Sequence, residues 1–178
     1  SSIAIFFLFL CEGILLFKNI KKQKEIISEN KNYNLFENLK KNEKEITITF
    51  GPWNFINKNN EKYIPLSGLS KIKTIHCLNQ SNYSYYKSDR YGFNNPDKEW
   101  NAINIKYLLI GDIFTHSGCV NRPHDIASVL RTLSNESVLN LGYEGNETII
   151  MFSTLKEYLP KKVENILWMY HEGNDTDE

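Results

Sequence analysis

Tyr107-Leu108-Leu109-Ile110-Gly111-Asp112-Ile113-Phe114-Thr115 is the stretch on which the fold turns. Four apolar residues in a row run straight into a glycine and an acid. A continuous apolar run this short suits a strand buried on both faces, as in a parallel sheet, because alternation is needed only where one face meets water. The abrupt Gly111-Asp112 ending predicts a tight turn at the carboxyl end of that strand.

Working outward, Pro123 to Leu133 predicts a helix, with Pro123 in its first turn and Ile126, Val129, Leu130 and Leu133 on one apolar face. Val138-Leu139-Asn140-Leu141 reads as a second strand, followed by Gly142 and Gly145. A second helix is expected from about Glu147 to Leu159, stopped by Pro160. Asn165 to Tyr170 reads as a third strand, ending in Gly173-Asn174-Asp175. Strand, helix, strand, helix, strand predicts an α/β domain.

The front half has a different character. Ile3 to Phe17 is almost wholly apolar and is followed by Lys18, Lys21, Lys22 and Lys24. Residues 1–20 are expected to be a transmembrane or signal-anchor helix cut at its front, since a span needs about 20 apolar residues. Residues 21–45 read as a charged linker. Residues 46–100 read as a β-rich lead-in: β-branched Ile46 to Phe50, then Ile72 to Leu78 and Tyr83 to Tyr86 paired as a hairpin across Asn79 to Asn82. Ser88 to Pro96 is rich in turn formers.

Composition narrows the partners. Lysine plus arginine equal aspartate plus glutamate, 21 each, which gives no electrostatic reason to expect nucleic acid. No CxxC or HExxH pattern supports a metal, and no cofactor is expected. Cys11, Cys77 and Cys119 are too few and scattered for a disulfide framework. A Cys77–Cys119 bridge is conceivable, but two free, buried thiols are the expectation. Trp53, Trp100 and Trp168 are read as core or boundary aromatics.

In a parallel sheet, ligands bind beyond the carboxyl ends of the strands. The three predicted strands all end in polar, glycine-containing turns: Gly111-Asp112, Gly145-Asn146 and Gly173-Asn174-Asp175. Right-handed crossovers would bring these turns to one edge. Backbone N–H groups and an asparagine amide converging there would stabilise a developing oxyanion.

These blocks resemble the SGNH (GDSL-like) hydrolases. Gly111-Asp112-Ile113-Phe114-Thr115 is similar to their GDSFT block, with Ile113 at the serine position. Asn140 to Gly145 resembles the second block, with Gly145 as its glycine, and Glu172 to Asp175 resembles the GxND block, with Asn174 as its asparagine. Ser88 to Asn95 also resembles a segment preceding the GDS strand in some membrane-anchored bacterial members. The resemblance implies a partial flavodoxin-like three-layer α/β/α sandwich over residues 46–178. It also implies an oxyanion hole from Ile113, Gly145 and Asn174, flanked by Gly111, Gly173 and Asp175, with Asp112 and Ile113 at the catalytic turn.

In that family the serine attacks an ester carbonyl, and a later DxxH block supplies the base. Isoleucine has no oxygen to acylate, and no DxxH block follows in this sequence, so the chain is expected to be an inactive fragment of a longer esterase or acyl-transferring protein. Thr115 and Ser117 are the nearest hydroxyls, but a shift of two or four residues past a tight turn changes direction and depth, so neither is expected to replace the serine; His76, His116, His124 and His171 are read as surface or hydrogen-bonded histidines. The expected partners are the membrane and an acylated or acetylated glycan, on the extracytoplasmic side. Two rivals stay open: a catalytically silent glycan- or ester-binding or assembly module, and a nucleotide-binding α/β domain, although no GxGxxG loop follows the first strand.

Overall fold

The structure is a computed structural model that describes residues 13, 14, 18, 21, 34–43, 45–52, 56–58, 61–79 and 82–171. The expected membrane helix over 1–20 falls almost wholly outside these residues, as do Trp53, Gly173, Asn174 and Asp175. Among the described residues no helix is long and apolar enough to cross a membrane. The chain divides into two compact units, Ser1–Lys44 with Asn79–Ser81, and Glu45–Leu78 with Asn82–Glu178. In the first unit residues 34–42 form a helix, α1. There Lys40 Nζ sits 5.9 Å from the centre of the Phe36 ring, one helical turn away.

The second unit is α/β, and its described residues form three sheets. In the first, β4 (Lys73–Asn79) lies between β1 (Ile46–Ile48) and β5 (Asn82–Lys87), and β1 runs parallel to β4 with Ile46 opposite Lys73. β4 and β5 are the expected neighbours. β2 (Ile56–Lys58) and β3 (Glu61–Tyr63) form a small antiparallel pair. The third sheet is parallel and ordered β7-β6-β8, from Val138–Asn140, Ile105–Gly111 and Val163–Met169.

β6 is the centre of the core. Leu108, Leu109 and Ile110 are fully buried, and their alternation serves two separate clusters. Leu108 and Ile110 join Leu139, Leu141 and Tyr143 with Met151 of helix α4 (Thr148–Tyr158), while Leu109 joins Val138 with Ala127 of helix α3 (Ile126–Ser134). Both faces are thus apolar, which is why the run shows no alternation. Each such side chain, fully buried, contributes about 1.5–3 kcal/mol of transfer free energy.

Two helix expectations need correction. α3 begins at Ile126, not in a turn containing Pro123, because Asp125 caps it: its Oδ1 accepts from Ser128 N at 3.1 Å. Pro123 lies upstream, after a cis bond from Arg122. The apolar stripe of α3 also faces less of the core than its spacing suggests. Ala127 and Ser128 are the buried positions, whereas Leu133 is 80% exposed. Ile126, Val129 and Leu133 instead line an apolar trough of about 380 Å³ with Leu167 and Met169 of β8. β8, one edge of the three-stranded sheet, has no buried position, whereas β7 at the other edge is buried throughout.

Ser88 to Asn95 forms a buried polar knot. The Asp89 carboxylate accepts four hydrogen bonds, from Tyr91 N, Phe93 N, Asn95 Nδ2 and Trp100 Nε1, at 2.7–3.0 Å. A buried carboxylate needs such a full set, since an unmet one is costly. Gly92 has φ +92°, and a methyl group there would stand 2.0 Å from the Gly68 carbonyl oxygen. Only glycine lets these two strands of loop pass so closely.

Candidate functional site

The chain leaves β6 at Gly111 and turns at once into α2, a single helical turn from Ile113 to His116. Asp112 caps it, with Oδ1 accepting from Phe114 N at 2.9 Å. Asp112 is therefore buried and holds the turn in place. What sets the depth of α2 is Thr115, which is fully buried between the ends of β6 and β7. A methyl group at Gly111 would stand 2.0 Å from Thr115 Oγ1, and one at Gly142 would stand 2.6 Å from Thr115 Cβ. Both positions must be glycine for this wedge to seat. Asn140 fixes it from below, donating from Nδ2 to Thr115 O at 2.6 Å and accepting from Gly142 N at 2.8 Å.

The sequence reading singled out Gly145 in the second turn. It lies at φ +74°, in a turn closed by Asn146 N donating to Tyr143 O at 3.3 Å. Of the two glycines that follow the second strand, the one that touches the α2 turn is Gly142. At the third strand, Met169 is opposite Gly111, so β8 ends at the same sheet edge as β6. Gly173, Asn174 and Asp175 lie outside the described residues. Ile113 is half-buried at the tip of the turn and Phe114 is 56% exposed, its ring 5.4 Å from that of His171.

Beneath α2 lies a buried aromatic cluster. The His116 ring is 5.2 Å from that of His76 and 5.1 Å from those of Tyr86 and Tyr143. Burial pushes the His116 imidazole down to about 3, and the neighbouring His76 adds to the effect. Burial likewise pushes His76 down to about 4, against the opposing pull of the Asp125 carboxylate. Both rings are therefore neutral at pH 7. His76 Nε2 lies 2.6 Å from Ser117 Oγ, at the C-terminal end of α2. The next residue along β4, Cys77, is disulfide-bonded to Cys119.

The bridge overturns the expectation of free thiols. The Ser117–His76 pair joins residues 41 positions apart, and nothing local in the sequence links them. The one available signal was that Cys77 follows His76 and Cys119 follows Ser117 by two residues. His124 lines the trough beside α3, apart from this cluster. Among the described residues no group of three or more acidic, histidine or cysteine side chains could hold a metal ion. No family model, curated protein or solved structure matches the chain.

Proposed function

We propose that the second unit is an SGNH-hydrolase-like domain, a partial flavodoxin-like three-layer α/β/α sandwich. In this reading it descends from an esterase or acyl-transferring enzyme of envelope or glycan esters and is catalytically silent at its nucleophile position. The observation that carries the reading is the seating of α2. A parallel sheet ordered second-first-third has its crevice beyond the carboxyl ends of the first and third strands. Gly111 and Gly142 close on Thr115 beside that crevice, between the ends of the first and second strands, and Ile113 stands at the tip of the same turn. A serine at that tip would present its hydroxyl to an ester carbonyl, and the turn's backbone N–H together with that of Gly145 and the Asn174 amide would receive the oxyanion. With isoleucine the hydroxyl is gone and the backbone donors are kept.

An oxyanion rim without a nucleophile still favours a polarised carbonyl. This gives the second reading, a module that holds an acetylated or acylated glycan without cleaving it. The Cys77–Cys119 bridge supports an extracytoplasmic place for the domain, since disulfides persist in oxidising compartments.

The test is the full-length protein carrying Ile113→Ser, treated with a fluorophosphonate probe and digested for mass spectrometry. Phosphonylation at position 113 of the variant, absent from the unsubstituted protein, is the expected result. An inert variant whose parent binds acetylated xylan oligomers selects the binding module. An inert variant whose parent binds no such glycan sinks both readings.

A further inference from the structure

α2 is too short to hold itself. One helical turn has few internal hydrogen bonds, and helices of this length owe their order to their surroundings. Its front is held by the Asp112 cap and the Thr115 wedge. At its rear, the chain leaves through Ser117 and Gly118, whose N–H groups both donate to Ile113 O, at 3.1 and 2.9 Å. It then reaches Cys119 at φ +64°, a left-handed conformation that a residue with a side chain adopts at a cost. Two links tie this rear segment to β4: the Ser117–His76 hydrogen bond and the Cys77–Cys119 bridge. His76 and Cys77 are adjacent on one strand, so the links act on the same point. Ser117 and His76 are buried, whereas Cys119 is exposed and Cys77 half-buried, so the sulfur link is the one that solvent can reach.

We infer that the Cys77–Cys119 disulfide is a reducible clamp that positions the α2 turn, and that opening it releases Ser117 from His76 and loosens the turn bearing Ile113 while the sheet below stays formed. The chemistry is thiol–disulfide exchange with a dithiol. Its thiolate attacks one sulfur of the bridge, its second thiol closes it to its own disulfide, and thiols remain on Cys77 and Cys119. Two electrons and two protons pass from the dithiol to the bridge. With the bridge gone, Cys119 is held in its left-handed conformation by the Val120 N to Ser117 O bond across it, at 3.0 Å, and the Ser117–His76 hydrogen bond is the remaining side-chain tie to β4, so relaxation of Cys119 pulls on Ser117 two positions away. The clamp leans on the esterase-like reading only in calling this turn the site; the measurement below contains no ester.

The experiment is amide hydrogen exchange of the intact chain at neutral pH, with and without dithiothreitol, beside a Cys77→Ser/Cys119→Ser variant and Ser117→Ala. Thiol titration with a chromogenic disulfide reports the state of the bridge. Dithiothreitol should expose both thiols without denaturant. Exchange at His116, Ser117 and Gly118 should then rise at least about tenfold more than exchange at the β6 amides from Leu108 to Ile110, which follow only the change in global stability. The double serine variant should match the reduced protein, and Ser117→Ala, with its bridge intact, should fall between. Should the double variant not fold, the unsubstituted protein with and without reductant carries the test alone. A bridge that yields only in denaturant overturns the inference. So does a uniform rise across β6 and α2, which would mean global weakening, and so does reduction that leaves 116–118 as protected as before.

Discussion

Asn95 meets Asn140 as a neighbouring strand would: its side-chain Nδ2 donates to Asn140 O and its Oδ1 accepts from Asn140 N, both at 2.8 Å. One amide side chain thus closes the free side of β7, and Arg131 Nη2 adds a third bond to Asn95 Oδ1 at 2.8 Å. Asn140 also holds Thr115 O, and Asn94 Nδ2 donates to His116 O at 3.1 Å, so the polar knot of Ser88 to Asn95 reaches the α2 turn both through Asn140 and directly.

Asn95→Asp should therefore be among the more damaging isosteric changes in the domain. It removes the donors to Asn140 O and Asp89 and places a second carboxylate beside the first. The loss should exceed about 3 kcal/mol, the scale for breaking a buried charged network. Urea unfolding followed by tryptophan fluorescence measures it, and a midpoint within error of the unsubstituted protein would refute the role given to this side chain.

Gly142→Ala should cost about 1–3 kcal/mol, the usual range for forcing a methyl group into packed space. The new atom would also stand 2.7 Å from His116 N, so backbone as well as the Thr115 side chain must move. Gly111→Ala meets the Thr115 side chain first. Thr115→Gly should accordingly rescue Gly111→Ala more fully than it rescues Gly142→Ala, a difference a pair of double-mutant cycles resolves.

Acid should weaken the domain through its buried histidines. The folded-state values of His76 and His116, about 4 and about 3, lie below the ordinary 6.5 of the unfolded chain. Between 6.5 and those values the unfolded chain binds protons that the folded one refuses. Stability is therefore whole above about 6.5 and falls as pH drops toward 4, by up to about 1.4 kcal/mol per pH unit for each histidine. His116→Phe, which keeps a ring among Tyr86, Tyr143 and His76, should flatten the slope by about half. An unchanged slope would mean that other groups cause it.

Loss of the bridge has a global cost besides its local one. The cysteines are 42 residues apart, and closing a loop of that size removes roughly 4 kcal/mol of unfolded-state entropy. Cys77→Ser/Cys119→Ser should lower Tm by well over about 5 °C, read by differential scanning calorimetry.

What could be read in advance was what depends on neighbours in the chain. Leu108 to Ile110 betrayed β6 because a strand covered on both faces has no polar position to interrupt it. The helices were legible in kind, but the start of α3 was misjudged in favour of Pro123, when the oxygen of Asp125 was the stronger signal. The outward turn of Leu133 was hidden because periodicity tells which residues share a face and not what lies opposite it. The Ser117–His76 pair, the Cys77–Cys119 bridge and the Asn95–Asn140 pairing all join positions more than 40 apart, and local pattern carries no information about such partners.

β8 has a practical consequence. Its outer backbone groups face no strand among the described residues, and Ile166, Trp168 and Met169 stand 46%, 37% and 39% exposed along it. Such an edge is a template for strand addition, so the purified domain should self-associate as its concentration rises. A lysine at Ile166 should keep it dispersed without touching the α2 turn, a difference that light scattering would register at once.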